Sequence, residues 1–317
     1  MKKSTFMLLT AATLTLTAFS ACAEDQETYK VGICQFVQHE ALTQATTGFQ
    51  DALTEQLGDR VSFDLQDAQG DLSTCTAVIN SLVSEDVDLI LANATAALQT
   101  AATATDSIPI LGTSVTEYGA ALDIDNFAGT VGSNISGTSD LAPLDQQAAM
   151  VQELFPDAKT VGLLYCSAEP NSQYQVDVIS EELTKLGYEC TNYSFSDSYD
   201  ISFVTTKAAA DCDVLFVPTD NTAASNAELI ANICIPDKVP VIVGEENTCR
   251  ICGIASFSIN YYELGYTTGL MAARILAEGE DISAMPIEYT SVYTKRYNKE
   301  ICDALGIEVP EDYVALD

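Results

Sequence analysis

Few residues in this chain have the type and spacing to do chemistry. Cys249-Arg250-Ile251-Cys252 is a C-x-x-C pair, the spacing of a thiol redox pair or of half a zinc site. Zinc needs two further ligands, and no second C-x-x-C is present. A redox pair should follow a strand and open a helix, whereas Gly253 and a second apolar run follow this one. His39 is the single histidine. A Ser/His/Asp hydrolase would have to use it, and no G-x-S-x-G precedes a helix. His39 reads instead as a residue of a loop or helix entry.

Another set suits the binding of a zwitterion. Thr95 opens a helix pattern over 96–105, and Ser114 ends a strand pattern. A helix N-terminus with hydroxyl groups beside it holds a carboxylate without an arginine. Asp220 opens the helix after the matching strand of a second half and could hold an ammonium group. Thr and Asp are also favoured as plain helix N-caps, so a structural role stands beside the binding one.

The elements that must position these residues come from an internal copy. Lys30-Val-Gly-Ile-Cys-Gln-Phe is echoed by Thr160-Val-Gly-Leu-Leu-Tyr-Cys. Asp86-Val-Asp-Leu-Ile-Leu-Ala is echoed by Asp211-Cys-Asp-Val-Leu-Phe-Val, and Ile108-Pro-Ile-Leu by Val239-Pro-Val-Ile. The three echoes keep their order at nearly one offset, so the repeat is a domain rather than a short solenoid unit. Each is an apolar run of strand length, as strands buried on both faces require. Helical patterns lie between them, over 41–57, 72–83, 173–186 and 223–233. Alternating strand and helix predicts an α/β fold of two doubly wound parallel-sheet lobes. A helix over 262–278, a strand over 287–292 and a helix over 298–305 follow the second copy. That tail implies several crossings between lobes, hence a hinge, the first near 137–143. The division expected is 29–140 plus about 263–289 in one lobe, and 141–262 plus about 290–317 in the other.

In open parallel sheets, ligands sit beyond the carboxyl ends of the strands. The expected site is therefore an interlobe cleft. From the first lobe it draws Gln35, Phe36, His39, Thr95, Thr113 and Ser114. From the second it draws Glu169, Ser172, Asp220, Asn221 and Glu245. Phe36, Tyr165 and Tyr261 could form an apolar wall. Of the bases, only Arg250 lies near a cleft loop, so a strongly anionic solute is disfavoured.

Lys and Arg number 13 against 46 Asp and Glu, a formal charge of −33. Such a surface repels phosphate backbones, so no nucleic-acid partner is expected. The 47% hydrophobic content supports packed cores. Lys2 and Lys3 precede an uncharged stretch, Phe6 to Phe19, that reads as a signal peptide over 1–21. Phe19-Ser20-Ala21-Cys22 resembles a lipobox that would make Cys22 the lipidated N-terminus, with 22–28 as tether. Cleavage at Ala21-Cys22-Ala23 would instead release a secreted protein. Nine cysteines follow Cys22. An odd number in a chain of this size reads as mostly buried thiols rather than a disulfide framework.

With those residues in view, the chain resembles the substrate-binding lipoproteins of ABC importers, in the branch typified by tryptophan/tyrosine-type binding proteins. The resemblance rests on VGICQFVQHEALTQATTGFQDAL (31–53), QDAQGDLSTC (66–75), LILANATAALQTA (89–101), IPILGTSVT (108–116), AEPNSQ (168–173), VLFVPTDNT (214–222) and INYYELGYTTGLMAARIL (259–276). It covers about the whole mature chain. Cys166, Cys212 and the extreme acidity depart from the family's usual pattern. The resemblance implies the type I periplasmic-binding fold and a membrane-anchored, extracytoplasmic protein. It implies delivery of a small solute, an aromatic amino acid favoured, to an ABC permease. The protein is read as a non-enzyme without cofactor or metal, acting as a monomer. A surface ligand sensor of the same fold is the alternative, and a C-x-x-C redox or zinc protein a further one.

Overall fold

The computed structural model describes residues 27–316. The signal-peptide reading, the lipidation reading of Cys22 and most of the tether lie outside them.

The first copy runs β1 (Tyr29–Gln35), α1 (Glu40–Leu57), β2 (Val61–Asp67), α2 (Leu72–Ser84), β3 (Leu89–Asn93), α3 (Thr95–Ala104), β4 (Ile110–Val115), α4 (Tyr118–Leu122) and β5 (Ile135–Ser139). The second runs α5 (Leu144–Leu154), β6 (Thr160–Cys166), α6 (Pro170–Lys185), β7 (Glu189–Phe195), α7 (Ile201–Asp211) and β8 (Val214–Val217). It continues through α8 (Asn221–Ser225), α9 (Ala227–Asp237), β9 (Val241–Val243), α10 (Glu246–Ile251) and β10 (Ala255–Ser258). The tail adds α11 (Tyr261–Glu278), β11 (Glu288–Tyr289), β12 (Thr294–Tyr297), α12 (Lys299–Leu305) and β13 (Val314–Ala315).

Two sheets result. One has the order β11-β5-β4-β3-β1-β2, the other β13-β12-β10-β9-β8-β6-β7. Val31 and Val161 thus lie in separate sheets, each at the duplicated position. The chain passes between lobes after β5, after β10 and after β11, so three connections form the hinge.

The echoed sequences do the same work in both lobes. Asp88 accepts a hydrogen bond from the Lys30 backbone N–H at 2.7 Å, and Asp213 accepts one from that of Lys159 at 2.8 Å. Each aspartate precedes a central strand and satisfies an amide where the neighbouring strand begins. Side chains on both faces of β3 and β8 are buried, which is why those runs show no polar alternation.

α11 leaves the second sheet yet belongs to the first lobe. Glycines let its backbone touch that of α1. A Cβ on Gly265 would stand 1.9 Å from the Ala45 carbonyl oxygen, and one on Gly48 would stand 2.1 Å from that of Tyr262. Close approach of this kind is open only to glycine.

Two tail and helix expectations change. The helix expected over 223–233 is two helices, divided at Asn226. That side chain donates to the Thr222 carbonyl and to Ser225 Oγ, and such local bonds compete with helical ones. The strand expected over 287–292 pairs only at Glu288 and Tyr289, because the chain then crosses to the other sheet.

Candidate functional site

The segments at the carboxyl ends of β1, β4, β5, β6, β8 and β9 converge on a cavity between the lobes. His39, Ser114, Thr116 and Asp140 line it from one side, and Asn171, Thr219, Asp220, Asn221 and Glu245 from the other. Tyr261, first residue of α11, lines it as well. A larger cavity of ≈ 490 Å³ adjoins it through Asn171 and Asn221. Phe36, Val37, Leu72 and Ala96 form the first-lobe wall of that space, and Cys166, Ala168, Glu169 and Pro170 part of the other.

Two hydrogen bonds span the lobes. His39 Nε2 lies 3.2 Å from Asn221 Oδ1, and Gln44 Nε2 donates to Asn247 Oδ1 at 3.4 Å. Asn221 gives its amide nitrogen to Glu169 Oε2 at 2.7 Å, so its oxygen faces His39 and the His39 Nε2 carries the proton.

Four buried carboxylates surround the site, and they differ in what they have left to offer. Glu169 accepts from the Asn221 and Thr222 amides and from both their side chains. Glu245 caps α10 through the Asn247 and Thr248 amides. Asp220 caps α8 through Ala223 N at 2.7 Å and accepts from Cys166 N at 2.7 Å. Burial, with the Glu169 charge beside it, pushes the Asp220 carboxyl up to about 8. Asp220 is therefore both a cap and a lining residue.

Asp140 is different. Its Oδ2 accepts from the Tyr261 hydroxyl at 2.9 Å, while its buried Oδ1 has no hydrogen-bond partner. Burial raises this carboxyl to about 6, although hydrogen bonds from Tyr261 and Thr116 pull the other way.

Buried hydroxyls of the first lobe also lack partners. The N-cap of α3 is Ala94, at φ 96°, and no side chain caps that helix. Thr95 Oγ1 and Ser114 Oγ are both buried and unpaired. β3 and β4 are neighbours in register at Asn93 and Thr113, so Thr95 and Ser114 share one sheet end. Ser114 sits at φ 54°, within an irregularity of β4 between Gly112 and Val115. Holding a non-glycine residue there costs on the order of 1–3 kcal/mol, a strain that binding sites commonly carry. Buried polar atoms in native proteins nearly always find a partner, and of these two residues Ser114 lines the cavity.

Of the expected residues, His39, Ser114, Asp220, Asn221 and Glu245 line the inner cavity, and Phe36, Glu169 and Asn221 the outer one. Gln35, Thr95, Thr113, Ser172 and Tyr165 line neither. Gln35 accepts from Thr46 Oγ1 and donates to the Val37 carbonyl, which shapes the loop behind Phe36. Thr113 joins a buried hydroxyl triad with Thr138 and Thr268, on β5 and α11. Ser172 is fully buried and hydrogen-bonds Asp220. Tyr165 donates to Gln173 Oε1. Sequence reasoning missed Thr116 and Asp140, and it placed Asn171 and Thr219 in cleft loops without singling them out. Asp140 stood inside the stretch read as hinge, and Thr219 beside Asp220; a rule that hinge polar residues face the cleft would have found the first. It also took Tyr261 as an apolar wall, whereas the hydroxyl is the part that works.

The C-x-x-C pair lies at the C-terminal end of α10, both side chains buried. Burial pushes both thiols up, the opposite of what a redox nucleophile needs. Among the described residues no group of His, Cys, Asp and Glu is arranged to hold a metal ion.

Comparison with known proteins agrees with this geometry. Residues 30–316 match the family model described as ABC transporter substrate binding protein. A tyrosine-binding protein of Clostridioides difficile is 33% identical over 284 residues, 88% of this chain and 81% of that one. An ABC domain from Streptococcus pneumonia, solved in complex with L-Trp, is 31% identical with a TM-score of 0.86, covering 90% of this chain and 97% of its own. A ligand-free, open substrate binding protein with adhesive properties from Clostridium difficile is 35% identical with a TM-score of 0.70, covering 91% and 99%. The open structure superposes less well despite its higher identity. That difference accords with lobes closed on each other, as the His39–Asn221 bond requires.

Proposed function

This chain belongs to the ABC transporter substrate-binding protein family, and we propose that its solute is an amino acid with an aromatic side chain. The family acts outside the cytoplasm, binding a small solute for a membrane transporter rather than transforming it. The observation that carries the finer reading is that two buried polar atoms left open, Ser114 Oγ and Asp140 Oδ1, belong to residues lining one cavity. Ser114 Oγ, buried, unpaired and on the cavity wall, suits a carboxylate, with the uncapped start of α3 at the same sheet end. Asp140 Oδ1, with Asp220 behind it, suits an ammonium group. The ≈ 490 Å³ space beside Phe36 then takes the side chain. An aromatic one is favoured by that volume and by the relatives that bind tyrosine and tryptophan.

Binding works by hinge closure. Ligand touches both lobes only when they are closed, so it shifts the population to that state, which the permease then receives. Cys22 serves as the lipidated N-terminus, and two or more acyl chains hold a monomer stably on the membrane.

The test is thermal unfolding with a panel of amino acids. At a hundredfold excess over Kd, the stabilisation is about 2.7 kcal/mol, an increase of about 5 °C for a chain of this size. Tyrosine, tryptophan or phenylalanine should produce it, and alanine or glutamate should not. The protein has no tryptophan, so Trp emission that survives dialysis and leaves on unfolding would report bound ligand directly. Equal response to all amino acids would overturn the aromatic reading, and no response to any would overturn the amino-acid reading.

A further inference from the structure

Cys34 lies on β1, one residue before the end of the strand, and Cys75 lies at the start of α2, which packs on that strand. Both side chains are fully buried, and both thiols are free. Their sulfurs are 3.7 Å apart. That is van der Waals contact, and a disulfide needs about 2.05 Å, so the sulfurs must close by less than the length of one bond. Either thiol can donate to the other across this contact, and Thr100 Oγ1 lies 3.6 Å from the Cys75 sulfur. Hydrogen bonding within the pair lowers the Cys75 thiol, and the same contact together with burial raises Cys34. The pair is thus arranged as a nucleophile and a resolving thiol. Cys249 and Cys302, by contrast, turn their thiols to the Gly253 and Ile254 carbonyls.

We propose that Cys34 and Cys75 are a peroxide-responsive modification site, oxidised to a reversible disulfide in the folded protein. The Cys75 thiolate attacks one oxygen of hydrogen peroxide and the O–O bond breaks. This gives a sulfenic acid on Cys75 and a hydroxide that becomes water with the Cys75 proton. The Cys34 sulfur then attacks the Cys75 sulfur, forming the S–S bond. The sulfenic oxygen leaves and takes the Cys34 proton as a second water. Two thiols lose two electrons and two hydrogens, and one peroxide becomes two waters. The bridge would pin α2 to β1 directly behind Phe36 and Leu72, which line the outer cavity.

The purified protein is treated with graded hydrogen peroxide, denatured, alkylated and digested with trypsin. Cleavage after Lys30, Arg60 and Lys159 gives peptides 31–60 and 61–159, each with a single cysteine. The expected result is one cross-linked pair of these peptides, two hydrogens lighter than their sum, that dithiothreitol separates. The bridged protein should also melt at a higher temperature than the reduced one. In Cys34→Ser, Cys75 should instead be trapped as a dimedone adduct, with no cross-link. Should that variant fail to fold, the wild-type digest decides alone. The proposal is overturned if both peptides are alkylated at doses that oxidise the methionines, if Cys75 passes to sulfinic acid while Cys34 stays free, or if either pairs with another cysteine.

Discussion

Asp140, on the first connection between the lobes, accepts a 2.9 Å hydrogen bond from Tyr261, on the second. One buried contact thus ties two hinge segments together at the wall of the ligand cavity, and Asp140 keeps its other oxygen open. Asp140→Asn removes the buried charge and keeps the shape. Affinity for the amino acid should fall at least tenfold, since hydrogen bonds to charged groups contribute about 1.5–3 kcal/mol. Stability of the unliganded protein should rise at neutral pH. Calorimetric titration and urea unfolding on the same variant check both signs. A variant that loses stability, or binds as the wild type does, would remove Asp140 from the ammonium site. Tyr261→Phe should weaken binding and also destabilise by about 1–3 kcal/mol, because it takes the hydroxyl donor from Oδ2 of a buried carboxylate.

The raised carboxyl makes a pH prediction. In the folded protein Asp140 holds its proton up to about 6, against 3.8 for an ordinary aspartate. Below the ordinary value both states are protonated and the group contributes nothing. As pH rises through that range to about 6, the unfolded state ionises first, and the folded state loses about 3 kcal/mol from this group. The stability gap between Asp140→Asn and wild type should therefore be small near pH 4 and largest above pH 6. Ligand affinity should run the other way, rising with pH as Asp140 and Asp220 ionise and attract the ammonium. Urea midpoints and Kd across this range test the pair of trends, and a flat gap would contradict them.

Ser114 separates strain from binding. Ser114→Gly suits φ 54° and should stabilise the unliganded protein by up to about 1 kcal/mol. Ser114→Ala keeps the strain. Both lose the hydroxyl, so both should weaken binding several-fold while only the glycine variant gains stability. Melting temperatures with and without ligand would show this, and retention of full affinity by either variant would exclude the hydroxyl from carboxylate binding.

Gly265→Ala tests the return of the chain to its first lobe. The new methyl would stand 1.9 Å from a main-chain oxygen of α1, which cannot move aside alone. A loss of about 1–3 kcal/mol in urea unfolding is expected, typical of overpacking. The half-buried neighbour Thr267, changed to Ala, should cost less, under about 1 kcal/mol.

The duplication, the two parallel-sheet lobes and the loops that face the cleft were legible in the chain itself. They depend on local signals: apolar runs buried on both faces, helical periodicity, and echoed pairs such as Asp88 and Asp213 that close the same contact in each lobe. The interruption at Asn226 was also local, but its signal is a side chain competing with the helix, which periodicity does not register. What only the tertiary structure decided is which polar group is left over. Glu169, Asp220, Glu245 and Asp140 are all acids near strand ends, and by type they are equivalent. Their difference arises because Asp220 and Glu245 are taken up by the helices they cap, Asp220 also by the distant Cys166 amide and Glu169 by the distant start of α8, while Asp140 is left with one oxygen open. Hydrogen-bond satisfaction is a property of neighbours brought together by folding, and no spacing along the chain encodes it.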